Sequence, residues 1–418
     1  MSRDMSKDSF GGQIVYTSVM TVPARTNPGA TQRYRKTHPW ITFKADLTSF
    51  AYPTWLLMGE AESKCHHIAG VPLRPEIAEK LHEVYLSKGI HGTVSIEGNT
   101  LSEEEVLRRV AGDLKLPPSR EYLGREIDNI VAACNVIVAD VVAGRTLSLT
   151  KDRIEDFNRR ILEGLPLKEG VVPGQIRDHS VGVAGYLGAP AEDCEYLLER
   201  LCTWLDDIDR EAAGQEHLRF SLVILKAVMA HLYIAWIHPF GDGNGRTARL
   251  IELQLMVQAG VPLPAAHLLS NHYNRTREMY YRELEKTSRG DYPVEPFLRY
   301  ALQGFVDELG EQLDVIRDQQ MEVTWENYVH TNFRDQETPA KRRQKHLVLD
   351  MPRDQAVPTN KLRQVSPRVM AEYQGKTTKT VTRDVNALVG FGLLRRTRGG
   401  VIANRDLIKA FLPVRAEG

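Results

Sequence analysis

A chain of 418 residues is longer than a single core usually supports, so two or three structural units are expected, one of them large. With 42% hydrophobic and 26% charged residues, the composition is that of a globular protein folding in water and excludes collagen-like and wholly disordered classes. Lys plus Arg equals Asp plus Glu at 54 each, yet the residues from Lys341 onward carry 17 basic against 6 acidic side chains, net +11, which leaves −11 for the rest.

That imbalance makes the C-terminal segment a candidate polyanion binder. Cys65, Cys134, Cys194 and Cys202 show no CxxC spacing, which suggests neither a disulfide framework nor a zinc site and fits a reducing cytoplasm. The first residues contain no apolar stretch of the kind found in a secretion signal. The longest apolar run, 220–237, is interrupted by Lys226 and His231, so no membrane segment is expected.

Residues 1–40 mix Ser, Gly, Pro and scattered charge without periodicity and are assigned to a poorly ordered N-terminal arm. Residues 41–330 form the expected main core. The stretch from Pro75 has helical apolar spacing and stops at Gly98, a residue suited to a left-handed terminator. Ser102 to Glu105, SEEE, is a capping box that opens the next helix. Amphipathic patterns over 126–140, 152–163 and 191–210 predict further helices. Between them RDHSVGVAGYLGAP predicts a short hairpin closed off by Pro190. Residues 220–237 are apolar on nearly every face, the pattern of a helix buried in the centre of a bundle, and an apolar helix over 250–259 ends at Gly260. Residues 331–345 are polar, include Pro339 and are assigned to a linker. Residues 346–418 follow the order helix, SPRVMAEYQ, TTKTVTRDVNALVGFGLL, LRRTRGGVIAN. This predicts a winged helix-turn-helix domain with Gly399 and Gly400 at the wing tip. The fold class is therefore mainly α, with a short β-hairpin in the core and a small C-terminal domain.

The chemistry concentrates in the string HPFGDGNGRTAR, residues 238–249, which joins the two apolar helices. Glycines alternating with polar residues just before a helix let backbone N–H groups converge on an anion, and the positive end of the helix adds to the attraction. The spacing is neither that of a P-loop nor that of a dinucleotide fingerprint, because a helix precedes it. Asp242 lies where a carboxylate holds Mg²⁺ between phosphates. Arg246 and Arg249 share one helical face and grip a polyphosphate from one side. His238, at the loop entrance, has the chemistry to accept a proton from a hydroxyl near neutral pH. His231 could pair with His238 on a metal or be a packed core histidine.

The string resembles the signature HxFx[D/E]GNGRxxR of the Fic family at every defined position. The resemblance covers about residues 60–310 and implies a protein adenylyltransferase. In that scheme His238 is the general base for a Ser, Thr or Tyr hydroxyl of a target protein, and Asp242 holds Mg²⁺, with Mn²⁺ as a substitute. Gly243, Asn244, Gly245 and Arg246 bind the α- and β-phosphates of ATP, Arg249 binds the γ-phosphate, and pyrophosphate leaves. Upstream, TVSIEGN, residues 93–99, is similar to the family's inhibitory pattern [S/T]xxxE[G/N], with Thr93, Glu97 and Gly98 at its defined positions. This implies that a helix over about 77–98 carries Glu97 to Arg249 and represses the enzyme. In some relatives the same glutamate positions the water that removes AMP from the modified target. The alternative is an ordinary capped helix end.

The predicted hairpin corresponds to the family's flap, in which Val181, Gly182 and Val183 pair with the target segment and Val183, Ala184, Gly185 and Tyr186 border the nucleotide. A plain surface hairpin is the alternative. Tyr280 and Ser288 fall in the segment near adenine and ribose, and could equally be core or surface residues. The partners considered are a target protein, the chain itself through self-modification, and a second copy in a homodimer. Nucleic acid is a further candidate, through Lys376, Lys379, Arg383, Arg395, Arg396 and Arg398. A competing function is a nucleotide-sensing DNA-binding regulator that acts through the winged helix.

Overall fold

In the computed structural model, residues 32–145, 148–183, 186–212, 216–289, 292–334 and 338–409 are described. Most of the expected N-terminal arm therefore lies outside the described residues, as do parts of the linker and the C-terminal end. The fold is mainly helical and divides into two compact units, residues 1–313 and 314–418.

The first unit opens with α1 (Tyr34–Thr37), α2 (Tyr52–Gly70), α3 (Pro75–Ile96), α4 (Glu103–Val110), α5 (Glu121–Val142) and α6 (Lys151–Ile161). A two-stranded hairpin follows, β1 (Gly182–Val183) and β2 (Tyr186–Leu187). Then come α7 (Cys194–Ala212), α8 (Arg219–Ile237), α9 (Asn244–Gln258), α10 (Leu263–Ala266), α11 (Leu268–Arg275), α12 (Arg277–Thr287) and α13 (Glu295–Asn332). Residues 32–40 correct the expected arm boundary: Tyr34 is buried, its N–H donates to Asp193 Oδ2 at 2.8 Å, and His38 Nε2 lies 2.9 Å from the Leu187 carbonyl. A four-residue helix is too short to leave a period in the sequence, so its packing is invisible there.

Helix α8 is the centre of the unit, enclosed by α2, α7 and α9. Its length and apolarity would suit a bilayer, but 89% of its apolar window is buried inside the protein. Helix α3 lies against α11 at a distance only glycine permits. A Cβ added at Gly89 would fall 2.5 Å from His267 Cβ, and one at Gly92 2.5 Å from the Ser270 carbonyl oxygen. Ser102 and Glu105 form the capping box of α4, each side chain bonded to the other's backbone N–H. All four cysteines are buried and unpaired.

The second unit has its own core, built by the C-terminal part of α13 with α14 (Pro339–Leu349), α15 (Pro367–Glu372), α16 (Thr378–Gly390) and the antiparallel pair β3 (Leu394–Thr397) and β4 (Gly400–Ala403). Buried Asp384 on α16 ties three segments together. It accepts from Arg343 at 2.7 Å, Gln344 at 2.9 Å and the Tyr373 hydroxyl at 3.1 Å. The linker expectation is corrected here, because α13 runs through Asn332 and α14 starts at Pro339. Thr338 caps α14 by accepting from Lys341 N, with Pro339 at the first helical position, where its missing N–H costs nothing. Proline signalled a helix start, not a break.

Candidate active site

Residues 238–249 bridge α8 and α9, and two left-handed residues set the turn. His238 terminates α8 with φ 50° and ψ 58°, its N–H still bonded to the Ile234 carbonyl at 2.8 Å. Gly243 precedes α9 with φ 76°. Asn244 then closes the loop on itself: Oδ1 accepts from Phe240 N at 2.9 Å and Nδ2 donates to Phe240 O at 2.7 Å. The Asn244 side chain is thus committed to the loop itself. Both ends of the amide are spent shaping the loop, which leaves the backbone N–H groups of the first turn of α9 for an anion. Buried Asn158 on α6 supports the loop from below, with Nδ2 2.9 Å from the Asp242 carbonyl and 3.3 Å from Thr247 Oγ1, and Oδ1 accepting from Gly174 N at 3.0 Å. The sequence held a signal for it, an asparagine on the apolar face of a predicted helix beside Ile154, Phe157 and Ile161.

The two motif arginines are buried, and each meets carboxylates. Arg249 Nη2 donates to Glu97 Oε1 at 2.5 Å and to the Thr93 carbonyl at 2.9 Å, while its Nε and Nη1 have no hydrogen-bond partner among the described residues. A Cβ added at Gly245 would lie 2.2 Å from Glu97 Oε1, so the carboxylate rests on the first turn of α9, where an anion belongs. Burial raises the Glu97 carboxyl, but the Arg249 guanidinium, with Arg246 behind it, outweighs burial and holds it below the ordinary range. Arg246 meets Asp242 at 3.1 Å and Glu126 at 3.4 Å. Glu126 also accepts from Asn99 Nδ2 at 2.8 Å, which links the last residue of the 93–99 segment to the motif arginine. No spacing in the sequence points to this contact, since Glu126 is one of several acids on an amphipathic helix.

The end of α3 is a glycine-terminated cap, with Gly98 at φ 102° and Asn99 N bonded to the Val94 carbonyl at 3.1 Å. TVSIEGN is thus a capped helix end, and the same cap turns Glu97 onto α9. Arg277 and Tyr281 of α12 hold the Ile96 carbonyl at 2.7 and 3.2 Å. Burial, followed by smaller contributions that include the Arg177 charge, pushes the His238 imidazolium down to about 4, so the ring is neutral at pH 7, the state required to accept a proton.

The hairpin pairs Gly182 with Leu187 and Val183 with Tyr186, and Val181 O accepts from Gly188 N at 3.0 Å. Ala184 and Gly185 lie outside the described residues. Tyr280 is 2% exposed, its hydroxyl 2.8 Å from His231 Nε2 and its ring stacked on Tyr273 at 4.8 Å. That corrects its expected place beside adenine: α12 turns Tyr280, Leu284 and Thr287 inward, and the ring offers no open face. Ser288 is also buried, and its hydroxyl donates to the Glu285 carbonyl at 2.7 Å at the end of α12, not to an open site. His231 is fully buried between Tyr280 and Glu252, a core histidine, and no group of three potential ligands is assembled for a metal among the described residues. In the second unit Lys376, Lys379, Arg383, Arg395, Arg396 and Arg398 are all exposed.

A helical body with a buried helix, a glycine-rich turn at a helix N-terminus and two arginines on the next helix defines the class of an anion-directed site. Residues 148–256 match the Fic/DOC family. It is 32% identical over 223 residues to "Protein adenylyltransferase Fic" of Culex quinquefasciatus, covering 53% of this chain and 40% of that one. It is 29% identical over 242 residues to "Protein adenylyltransferase fic-1" of Caenorhabditis briggsae, covering 54% and 43%. The chain thus spans less than half the length of these relatives. Among solved structures, a Fic family protein from Desulfovibrio desulfuricans G20 superposes with a TM-score of 0.52 at 18% identity, covering 88% of this chain and 98% of that one. Fic-1 of C. elegans gives 0.51 at 22%, covering 63% and 73%. At these identities the structures share the fold.

Proposed function

We propose that this chain transfers AMP from Mg·ATP to a Ser, Thr or Tyr hydroxyl of a target protein and that Glu97 represses the transfer. One observation carries the reading: a carboxylate sits on the first turn of α9, bonded at 2.5 Å to a buried Arg249 whose Nε and Nη1 have no partner among the described residues. A buried guanidinium with spare donors at a helix N-terminus is built for an anion larger than one carboxylate. The target hydroxyl oxygen forms a bond to the α-phosphorus, the bond from that phosphorus to the β-bridging oxygen breaks, and pyrophosphate leaves. The hydroxyl proton goes to neutral His238. The α9 N–H groups and Arg246 hold the α- and β-phosphates, and Arg249 holds the γ-phosphate once Glu97 has moved.

Asp242 is the carboxylate of the loop and its side chain is 38% exposed, which suits Mg²⁺ held by one carboxylate and phosphate oxygens. Mg²⁺ supplies charge neutralisation of the polyphosphate when bound. Asp242→Ala is expected to shift the Mg²⁺ titration of transfer upward by about tenfold or more, the equivalent of one charge-assisted contact. An unchanged titration removes Asp242 as the ligand.

In the reverse sense, Glu97 orients a water against an AMP-modified target, so one residue both represses transfer and supports removal. Intact-mass analysis of the Glu97→Gly protein after incubation with Mg·ATP tests the main reading through self-modification. An AMP adduct supports it, whereas a phosphate adduct or no adduct overturns it.

A second, compatible reading concerns the C-terminal unit, where the exposed cations lie on α15–α16 and the β3–β4 hairpin in the order of a winged helix-turn-helix. Among the described residues Arg395 meets Asp406 at 3.7 Å and Arg396 donates to Asn386 Oδ1 at 2.5 Å, and both arginines stay exposed. Binding of random duplex is expected to weaken with salt at a slope of roughly −0.9 per phosphate contacted. Replacing Lys379 and Arg383 with Ala should flatten that slope by about 2. A salt-independent or absent interaction assigns the face to protein docking instead.

A further inference from the structure

Arg177 is buried at 5% exposure and stands between the two parts that adenylyl transfer must align. Its Nε donates to the His238 carbonyl at 2.7 Å. Its Nη2 donates to the Ala189 carbonyl at 2.5 Å and the Ile237 carbonyl at 3.3 Å, and its Nη1 to the His179 carbonyl at 2.5 Å. Its backbone N–H donates to the Pro239 carbonyl at 2.9 Å. All of these acceptors are backbone carbonyls. Two of them, on residues 237 and 238, form the C-terminal end of α8, where a cation meets the negative end of the helix dipole. The other two side-chain acceptors flank the hairpin, His179 before β1 and Ala189 after β2.

From this geometry we infer that Arg177 is a positioning residue that fixes His238 and both ends of the flap hairpin to one point, setting the distance between target hydroxyl and base. The inference rests on the adenylyltransferase reading. His238 ends α8 in the left-handed region, which is uncommon for a residue with a Cβ and needs support from its surroundings. The guanidinium bond to its carbonyl supplies that support. Planar geometry matters here, because a guanidinium reaches several acceptors at fixed angles and an ammonium cannot.

The hairpin is fastened to the same joint by steric contact as well. A Cβ added at Gly188 would lie 2.8 Å from His238 Cβ and 3.0 Å from Arg177 Nη2, and Ala189 N donates to the Trp236 carbonyl at 3.2 Å. The residue that follows β2 therefore approaches the histidine more closely than a side chain would allow. A segment pairing with the hairpin edge is held relative to His238 through contacts that never touch the phosphates, so loosening the joint separates hydroxyl from base while leaving ATP where it was.

The test uses the full chain carrying Glu97→Gly, which must first show AMP transfer. If that protein forms no AMP adduct, the adenylyltransferase reading fails, and this inference falls with it. Into the active protein are placed Arg177→Lys, which keeps the charge and loses the fork, and separately Gly188→Ala, which disturbs the joint from the hairpin side. For each, kcat and the KM for ATP of transfer are measured with the melting temperature. Displacement of a catalytic group by about 1 Å costs on the order of 10²-fold. The expected result is a fall in kcat of roughly 10²-fold in both variants, with the KM for ATP changed less than about threefold. A kcat within about threefold of the parent, or a loss appearing equally in ATP affinity, overturns the positioning role. If Arg177→Lys does not fold, the Gly188→Ala split decides by the same criteria.

Discussion

Glu97→Gly is expected to raise AMP transfer at least about tenfold over the wild-type protein. Arg249 is 1% exposed and bonded to Glu97 at 2.5 Å, so under the proposed function a γ-phosphate is seated there only once that pair parts. Hydrogen bonds between charged groups contribute about 1.5 to 3 kcal/mol, which at 1.4 kcal/mol per decade is roughly 10- to 150-fold in the competent population. The carboxylate also covers the α9 N-terminus beside Gly245, so its removal frees backbone donors as well as the arginine. Arg249→Ala in the same background should forfeit the gain, because the phosphate then lacks the partner that Glu97 had withheld. Glu97→Gly should also lose any release of AMP from a modified target. Initial rates with Mg·ATP and a hydrolysis assay on pre-modified protein read the two effects. An unchanged transfer rate would leave the 93–99 segment as nothing more than a capped helix end.

The second large effect is a loss. His238→Ala in the Glu97→Gly background should lower transfer by about 10²- to 10⁴-fold, the usual contribution of a positioned general base, while ATP affinity stays within about threefold because the α9 N-terminus and both arginines remain. Retention of more than about a tenth of the parent rate is incompatible with that role. The pH profile gives an independent check. A histidine pushed down to about 4 is neutral through the physiological range, so transfer should stay level as pH falls from 7 toward about 5 and decline only as the ring takes up a proton near its lowered value. A half-maximal point near an ordinary histidine value of about 6.5 would show that bound substrate or solvent has cancelled the effect of burial.

The residues that the resemblance and the composition of the loop picked out do come together: His238, Asp242, Arg246, Arg249 and Glu97 occupy one site. They were legible because the motif is contiguous, and its parts are placed by a single helix–turn–helix whose φ requirements and apolar flanks are local properties. Most helix positions were legible for the same reason, since a helix writes its period into consecutive residues. Residues 32–40, and the 338–345 part of the expected 331–345 linker, were misjudged, because a one-turn helix writes no period and a Thr-Pro pair signals a helix start as readily as a break.

What only the tertiary structure decided is how groups distant in sequence divide the site between them. Asn158, Arg177 and Glu126 come from other segments, and their roles depend on which carbonyl or guanidinium faces them, a matter of packing with no spacing rule. Tyr280 was drawn into the core and the Asn244 amide into the loop for a related reason. A buried polar group must find its hydrogen bonds within the fold, and which partner it finds is fixed by the neighbours that helix packing delivers. The sequence alone determined the chemistry available to the loop and pointed to Glu97 as the carboxylate proposed to repress it. Burial and proximity decided that Glu97, and not solvent, fills the arginine's open side, because an ion pair across 152 residues of chain exists only once α3 has been packed beside α9.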